Sequence, residues 1–396
     1  MAIQTLYLVD GFDLVDYNRI FLKYNGFHSA FDQGGMIPGN GGGLGMTTFN
    51  SAFSSVGGQW TRNFGTSVPS LGIHLDYQQD GGTLFSVWDF YRVSVGGTDL
   101  FTIHQLATGY LQFFGPLRSL IATTINPIAL GGAWNNFVIL LQFGTSGSLQ
   151  VFMNGSNALA GGIVPVNFGG FNPDSATFFF NAGFGPPGIA LDNYFIYDGL
   201  SNVGPCHVDS LLPVTDSPST VWTPAATSPD TPSATCAPMI NDAEGRFPGG
   251  GPDGDFTYIT PSVTGDQTFQ MQPSRCYGRV LGLALNACGR PNTGFSPQEF
   301  NFIAILSNGK NVVGTGTLLN VGAPTGVTFL TDYQTIQAFM LLSPASGGTL
   351  VDSEITNGAF GIGSIELQQR ITAFNLEKIT SLNGQPFGCG GSSYSF

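Results

Sequence analysis

The chain has 396 residues, enough for two or three domains with cores of their own, and 42% of them are hydrophobic. Charged residues make up only 9%, and the formal net charge is −13 with 12 Lys and Arg. This excludes the clustered basic surface that nucleic acids or anionic membranes require. No apolar run approaches the roughly 20 residues of a membrane-spanning helix, so we expect no membrane insertion. The first 13 residues lack a signal peptide's basic and apolar regions, so we expect synthesis in the cytoplasm of a host cell without export by the usual route.

So few charges cannot cover two free-standing domains with the usual Lys and Glu surface. The sequence therefore predicts a surface of Gly, Ser, Thr, Asn and Gln, or one covered by partner subunits, as in a homo-oligomer. The 57 Gly and 34 Phe favour an all-β protein with tight turns and aromatic layers.

Strand patterns begin early and recur through the first half of the chain. The Asn154-Gly155 pair after one of them is a two-residue hairpin signal. Gly-rich turns separate these runs at the spacing of a β-sandwich or jelly roll. We therefore predict a first domain over 1–203, with strands over 84–93, 136–143, 149–153, 177–181 and 194–197.

The segment 204–271 is rich in Pro, Ser and Thr, so we predict a connector without a core of its own. A second, smaller β-sandwich is predicted over 272–384, and an arm without periodicity over 385–396. The second domain's strand patterns lie at 276–288, 299–307, 333–342 and 358–370.

No catalytic constellation is evident in the sequence. The first glutamate of the chain is Glu244, so the first domain lacks the closely spaced acids expected of a glycosidase. No nucleophile elbow or phosphate-binding loop is present. His104 lies in a strand pattern and is interpreted as a hydrogen-bonded structural group rather than a base. We expect Trp60, Trp88 and Trp134 to lie in the core rather than to form a surface on which sugars stack.

Asp10, Asp13 and Asp192 form the one candidate metal constellation. Asp10 and Asp13 open the first domain and Asp192 begins its last strand. In many sandwiches these two strands are neighbours, which would bring oxygen ligands together for Ca²⁺. The alternative is that these are turn and edge-strand aspartates without a metal. We expect no other cofactor.

Five cysteines lie after the first domain: Cys206, Cys236, Cys276, Cys288 and Cys389. Their spacing does not suit zinc. One interpretation is free thiols in a reducing compartment. The alternatives are a disulfide between Cys206 and Cys236, or a cysteine that crosslinks chains.

Several segments resemble known virion proteins. Ala133-Trp134 with LQVFMNG at 149–155 resembles the W…V…V.V.NG core of concanavalin A-like (laminin G-like) lectin domains, and DNYFIYD at 192–198 resembles their closing strand. The segments HVDSLLPVTDSPSTVWTP and PDGDFTYITPSVTGDQTF are similar to tailed-phage virion proteins in which a Trp-Thr-Pro linker joins a lectin-like domain to a second β-domain. GAFGIGSIEL at 358–367 resembles the strand that ends that second domain.

The resemblance implies a structural or adhesive component of a bacteriophage virion, without catalytic residues. Its partners would be other virion proteins, as in capsid decoration, the neck or the tail, together with cell-surface glycans. Two alternatives stay open: a glycan-binding host-adhesion protein of a tail or head fibre, and a polysaccharide depolymerase. Cys206, Cys236 and the long segment from Trp222 to Pro252 depart from the family pattern.

Overall fold

The protein is built from antiparallel β-sheets, as the composition predicts. The computed structural model describes residues 6–10, 37–38, 47–49, 58–79, 88–129, 133–180, 189–227, 232–241, 257–274, 278–292, 298–306, 311–318, 334–340, 355, 357–364, 366–367 and 369–382. Regular structure in these residues consists of 26 β-strands and two short 3₁₀ turns, Pro116–Arg118 and Ala237–Met239. None of the described residues forms a helix long and apolar enough to span a membrane.

The described chain divides into two compact units. Residues 6–207 and 381–382 belong to the first unit, and residues 208–380 belong to the second.

The first unit contains fifteen strands. They are β1 (Leu6–Asp10), β2 (Ile37–Pro38), β3 (Thr47–Phe49), β4 (Gly58–Asn63), β5 (Ser70–Gln79), β6 (Trp88–Val95), β7 (Thr98–Gln105), β8 (Leu111–Phe114), β9 (Leu120–Thr123), β10 (Trp134–Gln142), β11 (Gly147–Met153), β12 (Ser156–Asn157), β13 (Ile163–Val166), β14 (Ser175–Phe180) and β15 (Ile189–Tyr197).

These strands form two sheets. The nine-stranded sheet has the order β12-β11-β10-β5-β15-β3-β2, with β1 also paired to β15 and β13 to β11. The six-stranded sheet has the order β4-β14-β6-β7-β8-β9. The two sheets pack through buried aromatic side chains: the hydroxyls of Tyr91 and Tyr194 lie 2.8 Å apart, and the Tyr77 hydroxyl donates to the Gln105 side chain at 3.0 Å. The first unit is therefore a β-sandwich.

Local sequence explains several of these strands. Val138 to Leu141 are all buried in β10, which has β5 and β11 on either side, as expected for an apolar run in a central strand. The predicted hairpin at Asn154-Gly155 is present, because both residues have positive φ (52° and 76°) and Met153 pairs with Ser156.

Except for Cys206, His207 and Ser381, which belong to the first unit, the remaining strands lie in the second unit. They are β16 (Cys206–Leu211), β17 (Pro213–Thr220), β18 (Trp222–Ala226), β19 (Thr257–Pro261), β20 (Gly265–Met271), β21 (Arg279–Pro291), β22 (Gln298–Ile305), β23 (Asn311–Leu318), β24 (Gln334–Met340), β25 (Ala359–Ser364) and β26 (Gln369–Ser381).

One sheet of this unit has the order β18-β19-β26-β21-β24 with β16 also paired to β26, and the other has the order β17-β20-β25-β22-β23. Both contribute to one core, which includes Trp222, Phe269, Phe302 and Phe374.

The structure differs from the connector predicted over 204–271, because five strands, β16 to β20, lie in this range. Trp222, Ile259 and Phe269 of these strands are buried in the core. The prolines do not prevent pairing, because β17 and β18, which contain Pro218 and Pro224, are edge strands. An edge strand tolerates the missing proline N–H, since that side needs no ladder hydrogen bond. The arm predicted over 385–396 lies outside the described residues.

Gly72 in β5 is needed because of the close approach of Tyr197. A Cβ atom at position 72 would lie 2.1 Å from the Tyr197 ring. This ring is buried, and its hydroxyl donates a hydrogen bond to the Ser201 carbonyl at 2.6 Å.

We expect Gly72→Ala to lower the free energy of unfolding by about 1–3 kcal/mol through overpacking. Urea denaturation measures this, and Thr98→Ala at an exposed position is the control. Equal unfolding midpoints for the two variants would contradict the packing argument.

Candidate functional site

An open groove lies on the six-stranded sheet of the first unit, and its volume is about 690 Å³. This is within the range of small-molecule binding sites. Hydroxyl, amide and charged side chains, with one aromatic ring and several glycines, form its lining: Thr61, Asn63, Gly65, Thr66, Ser67, Arg92, Ser94, Gly96, Gly97, Asp99, Asp174, Ser175, Thr177 and Phe179.

Strand register brings these residues together from three distant segments. In β14, Ser175 lies opposite Asn63 of β4 on one side and Ser94 of β6 on the other. Two residues along, Thr177 lies opposite Thr61, and their hydroxyl oxygens are 2.9 Å apart. Because side chains alternate along a strand, the neighbouring Ala176 and Phe178 are buried while these polar residues face the groove.

Two carboxylates are held in fixed positions in the groove. Asp99 accepts a hydrogen bond from the Ser94 hydroxyl at 3.0 Å, and its other oxygen lies 3.4 Å from Nε of Arg92. Asp174 accepts from the Gly96 N–H at 2.9 Å and from the Ser175 hydroxyl at 2.9 Å. Each carboxylate is therefore oriented by the protein before any ligand binds.

The turn Gly96-Gly97 adds no side chains to the groove lining. Both glycines have positive φ (53° and 79°), and a Cβ atom at either position would meet no other atom within 4 Å. The turn joins β6 to β7, and two positive φ angles are what the favoured two-residue hairpin requires.

Arg92 connects the groove to a second polar cluster on the same sheet. Its guanidinium lies 4.4 Å above the Phe179 ring centroid and contacts Asp89 at 3.4 Å. The arginine covers one face of the Phe179 ring, so a ligand ring cannot stack on that face. The groove therefore offers mainly hydrogen-bonding groups.

The cluster beside the groove contains His104, which the sequence assigned to a structural role. Its Nδ1 lies 2.7 Å from Asp89, and Arg118 donates to the same carboxylate at 2.8 Å. Burial would raise the pKa of Asp89, but the hydrogen bonds and charges of Arg118 and His104 hold it below its usual value. The structure confirms His104 as a hydrogen-bonded group.

The predicted calcium ligands are only partly within the described structure. β1 and β15 are antiparallel neighbours, with Asp10 opposite Tyr194, so the expected adjacency of first and last strands is present. Asp13 lies outside the described residues. Asp192 is buried and accepts the N–H of Asn193 at 2.7 Å. The described residues contain no group of three or more potential metal ligands, and the calcium site stays a prediction.

Next to Asp192 lies a buried polar network that the sequence did not reveal. The Asp76 carboxylate accepts from the side-chain amides of Asn136 at 2.6 Å and Asn193 at 2.7 Å. His74 Nδ1 lies 2.7 Å from the Asn193 carbonyl, which can only accept, so Nδ1 carries the proton. Its Nε2 then accepts from Asn136 at 2.9 Å and from the Cys206 N–H at 3.2 Å.

The network depends on an irregularity in β15. The pairing of β15 with β5 shifts register between Asp192 and Phe195, and Asn193 there has φ 52°. Asparagine tolerates this left-handed conformation better than most residues, so the Asp-Asn pair within an aromatic strand is the sequence signal for such a bulge.

Burial shifts both titrating groups of this network toward their neutral forms. It raises the pKa of Asp76 to about 7, although the Asn136 and Asn193 hydrogen bonds oppose the shift. It lowers the pKa of His74 to about 4, against the hydrogen bond to Asn193. The raised pKa of Asp76 makes the free energy of unfolding fall as pH increases from about 4 to about 7, and the lowered pKa of His74 makes it rise from about 4 to about 6.5.

These two pH dependences partly cancel in the parent protein, and replacing Asp76 removes its contribution so that it can be measured. We expect the unfolding free energy of Asp76→Asn, relative to the parent protein, to grow by up to about 4 kcal/mol between pH 4 and pH 8. Urea denaturation across this range measures the difference. Asp266→Asn, the same substitution at an exposed aspartate, is the control. A curve for Asp76→Asn parallel to that of the parent protein would show that the pKa of Asp76 is not raised.

The disulfide between Cys206 and Cys236 is not formed, so this alternative is wrong in the structure. Both are buried free thiols. The Cys206 sulfur lies 3.5 Å from the Gly204 carbonyl, and the Cys236 sulfur lies 3.3 Å from the Trp222 carbonyl. Each thiol thus has an acceptor within its own unit.

Of the three tryptophans considered for a sugar platform, Trp88 is buried, as a core position requires. Trp134 is partly buried, and the side chain of Trp60 lies outside the described residues.

No protein-family model matches the sequence, and no curated protein matches it. Among solved structures, the binding domain of Paraclostridial Mosquitocidal Protein 1 is 11% identical with a TM-score of 0.36, covering 90% of this chain and 97% of that one. The receptor-binding domain of botulinum neurotoxin type G is 8% identical with a TM-score of 0.31, covering 58% and 60%. Trypanosoma rangeli sialidase is 16% identical with a TM-score of 0.28, covering 40% of this chain and 26% of that one. Scores this low carry no conclusion about function, and the all-β class rests on the strands themselves.

Proposed function

We propose that the first unit binds glycan chains in the groove of its six-stranded sheet, and that the protein carries this groove on the surface of a bacteriophage particle. The observation that carries the proposal is the pair of pre-oriented carboxylates, Asp99 and Asp174, beside a row of hydroxyl side chains. Oriented polar groups in an open groove suit a ligand with many hydroxyl groups.

The hydrogen-bonding capacity of the groove matches a sugar. A carboxylate has about four acceptor positions, and the protein occupies only part of that capacity at Asp99 and Asp174. Ligand hydroxyls can therefore donate to both carboxylates. Thr61, Thr177 and the Asn63 amide supply further donors and acceptors.

The charge of the groove favours a neutral glycan. Its charged lining residues are Arg92, Asp99 and Asp174, which sum to −1, and the whole chain carries −13. A sulfated or phosphorylated polysaccharide would meet net repulsion, so neutral surface polysaccharides of a bacterial host are the ligand class that we propose.

Substitution of the groove carboxylates tests this function. We expect Asp99→Ala and Asp174→Ala each to weaken glycan binding about tenfold or more, because each removes charge-assisted hydrogen bonds. Screening on an array of neutral bacterial polysaccharides, followed by calorimetry, measures the effect. Ser156→Ala, an exposed position on the other sheet, is the matched control. Parent-like binding by both carboxylate variants, or no binding by the parent protein, would contradict the proposal.

The same purified protein and polysaccharides also test the depolymerase alternative. The chain has no glutamate before Glu244, so this groove lacks the glutamates that often serve as the catalytic acids of a glycosidase. We therefore propose binding without cleavage. Release of reducing ends from a bound polysaccharide would contradict this and favour the depolymerase.

The virion location is supported by the resemblance around Trp222 to Pro224 and by the charge-poor composition, which suits a subunit covered by neighbours. We expect peptides of this protein in purified phage particles, and antibody labelling on the capsid, neck or tail in electron micrographs. We also expect a homo-oligomer in light scattering of the purified protein. Absence from purified particles would overturn the virion location while leaving the glycan-binding test unaffected.

A further inference from the structure

The second unit buries a lysine completely. Lys378 in β26 is one of only three lysines in the 396-residue chain, and its exposed fraction is 0%. Lysine is almost never fully buried unless its ammonium group has a specific partner. Because the chain has so few charged residues, the complete burial of one of them needs a chemical explanation.

Two other buried polar residues form a chain with this lysine. The Lys378 ammonium donates a hydrogen bond to the Ser274 hydroxyl, and the Ser274 hydroxyl donates to Oδ2 of Asp209 at 2.7 Å. Ser274 is 4% exposed and Asp209 is 1% exposed. Asp209 lies in β16, which pairs directly with β26, so the amine and the carboxyl group lie on neighbouring strands.

We propose that Lys378 and Asp209 condense to an intramolecular amide bond, with Ser274 as the proton relay. A proton first passes from the ammonium through Ser274 to the carboxylate, which gives a neutral amine and a neutral carboxyl group. Nζ of Lys378 then forms a bond to Cγ of Asp209. A second amine proton moves to Ser274 Oγ while the Ser274 proton moves to Oδ2, the bond from Cγ to Oδ2 breaks, and water leaves.

The direction of the hydrogen bonds matches this proton movement. Lysine donates to serine and serine donates to aspartate, so both transfers run along contacts that already exist. The step needs no oxidant and no other reactant, because one ammonium and one carboxylate yield one amide and one water.

Burial provides the driving force and the proximity. Two charges between packed sheets carry a desolvation cost, and an amide removes both charges at once. The fold holds the amine and the carboxyl group on paired strands, each in contact with the same hydroxyl, which raises their effective concentration. A hydroxyl is a weak acid and a weak base, so we expect the bond to form slowly after folding.

Intact mass spectrometry of the denatured full-length chain tests the proposal. We expect the aged parent protein to be one water, about 18 Da, lighter than its sequence mass, because an amide bond survives denaturation. Fragmentation should place the link between Lys378 and Asp209. A parent mass equal to the sequence mass after prolonged incubation would overturn the proposal.

Substitutions test which residues form the amide bond and whether Ser274 relays the proton. Lys378→Arg keeps the positive charge without the lysine amine, and Asp209→Ala removes the carboxyl group; both should show their full sequence masses. Ser274→Ala should lose water at least about tenfold more slowly than the parent protein, because the relay is gone. Water loss at the parent rate in Ser274→Ala would refute the relay, and water loss in Lys378→Arg would refute the assigned bond. If a variant does not fold, the parent mass and its fragment map still decide.

Discussion

The antiparallel pairing of β6 with β14 on one side and β7 on the other sets the geometry of the first unit's polar face. It places Ser94 next to Ser175 and next to Asp99, and it places Arg92 next to Thr177. The rest of the groove lining comes from β4, which pairs with the other side of β14, and from the turns that join the strands. A shift of one residue in either pairing would turn these side chains into the core and bring Phe178 or Val93 to the surface.

A second constraint follows from the scarcity of charge. The chain has few lysines and arginines, and several of the described aspartates accept hydrogen bonds from neutral donors. Asp76 is held by two asparagine amides, and Asp174 by a glycine N–H and a serine hydroxyl. In the second unit, Asp216 accepts the backbone N–H groups of Cys236 and Ala237. Neutral donors fix a carboxylate in place without cancelling its charge, which leaves it able to accept from a ligand.

The two units use buried polar groups differently. In the first unit, His74 and Asp76 are fully surrounded by fixed partners, and burial moves both toward the neutral state. Such a network stabilises the bulge at Asn193, because Asn193 supplies both a carbonyl to His74 and a side-chain amide to Asp76. In the second unit, the amine and carboxyl groups are linked through one hydroxyl, an arrangement that suits a reaction as well as a contact.

The sequence by itself determined the all-β class, many of the strands and the hairpin at Asn154-Gly155, because alternation and turn chemistry act over a few neighbouring residues. It also placed His104 correctly in a structural role. It did not predict the strands within 204–271, since a proline-rich segment is compatible with a sheet only when its strands lie at an edge, and edge position is a property of the whole sheet. Tertiary structure alone brought together Thr61, Asp99 and Asp174 in the groove, and Asp209, Ser274 and Lys378 in the interior. These residues are far apart in the chain, and only long-range strand pairing decides which of them meet.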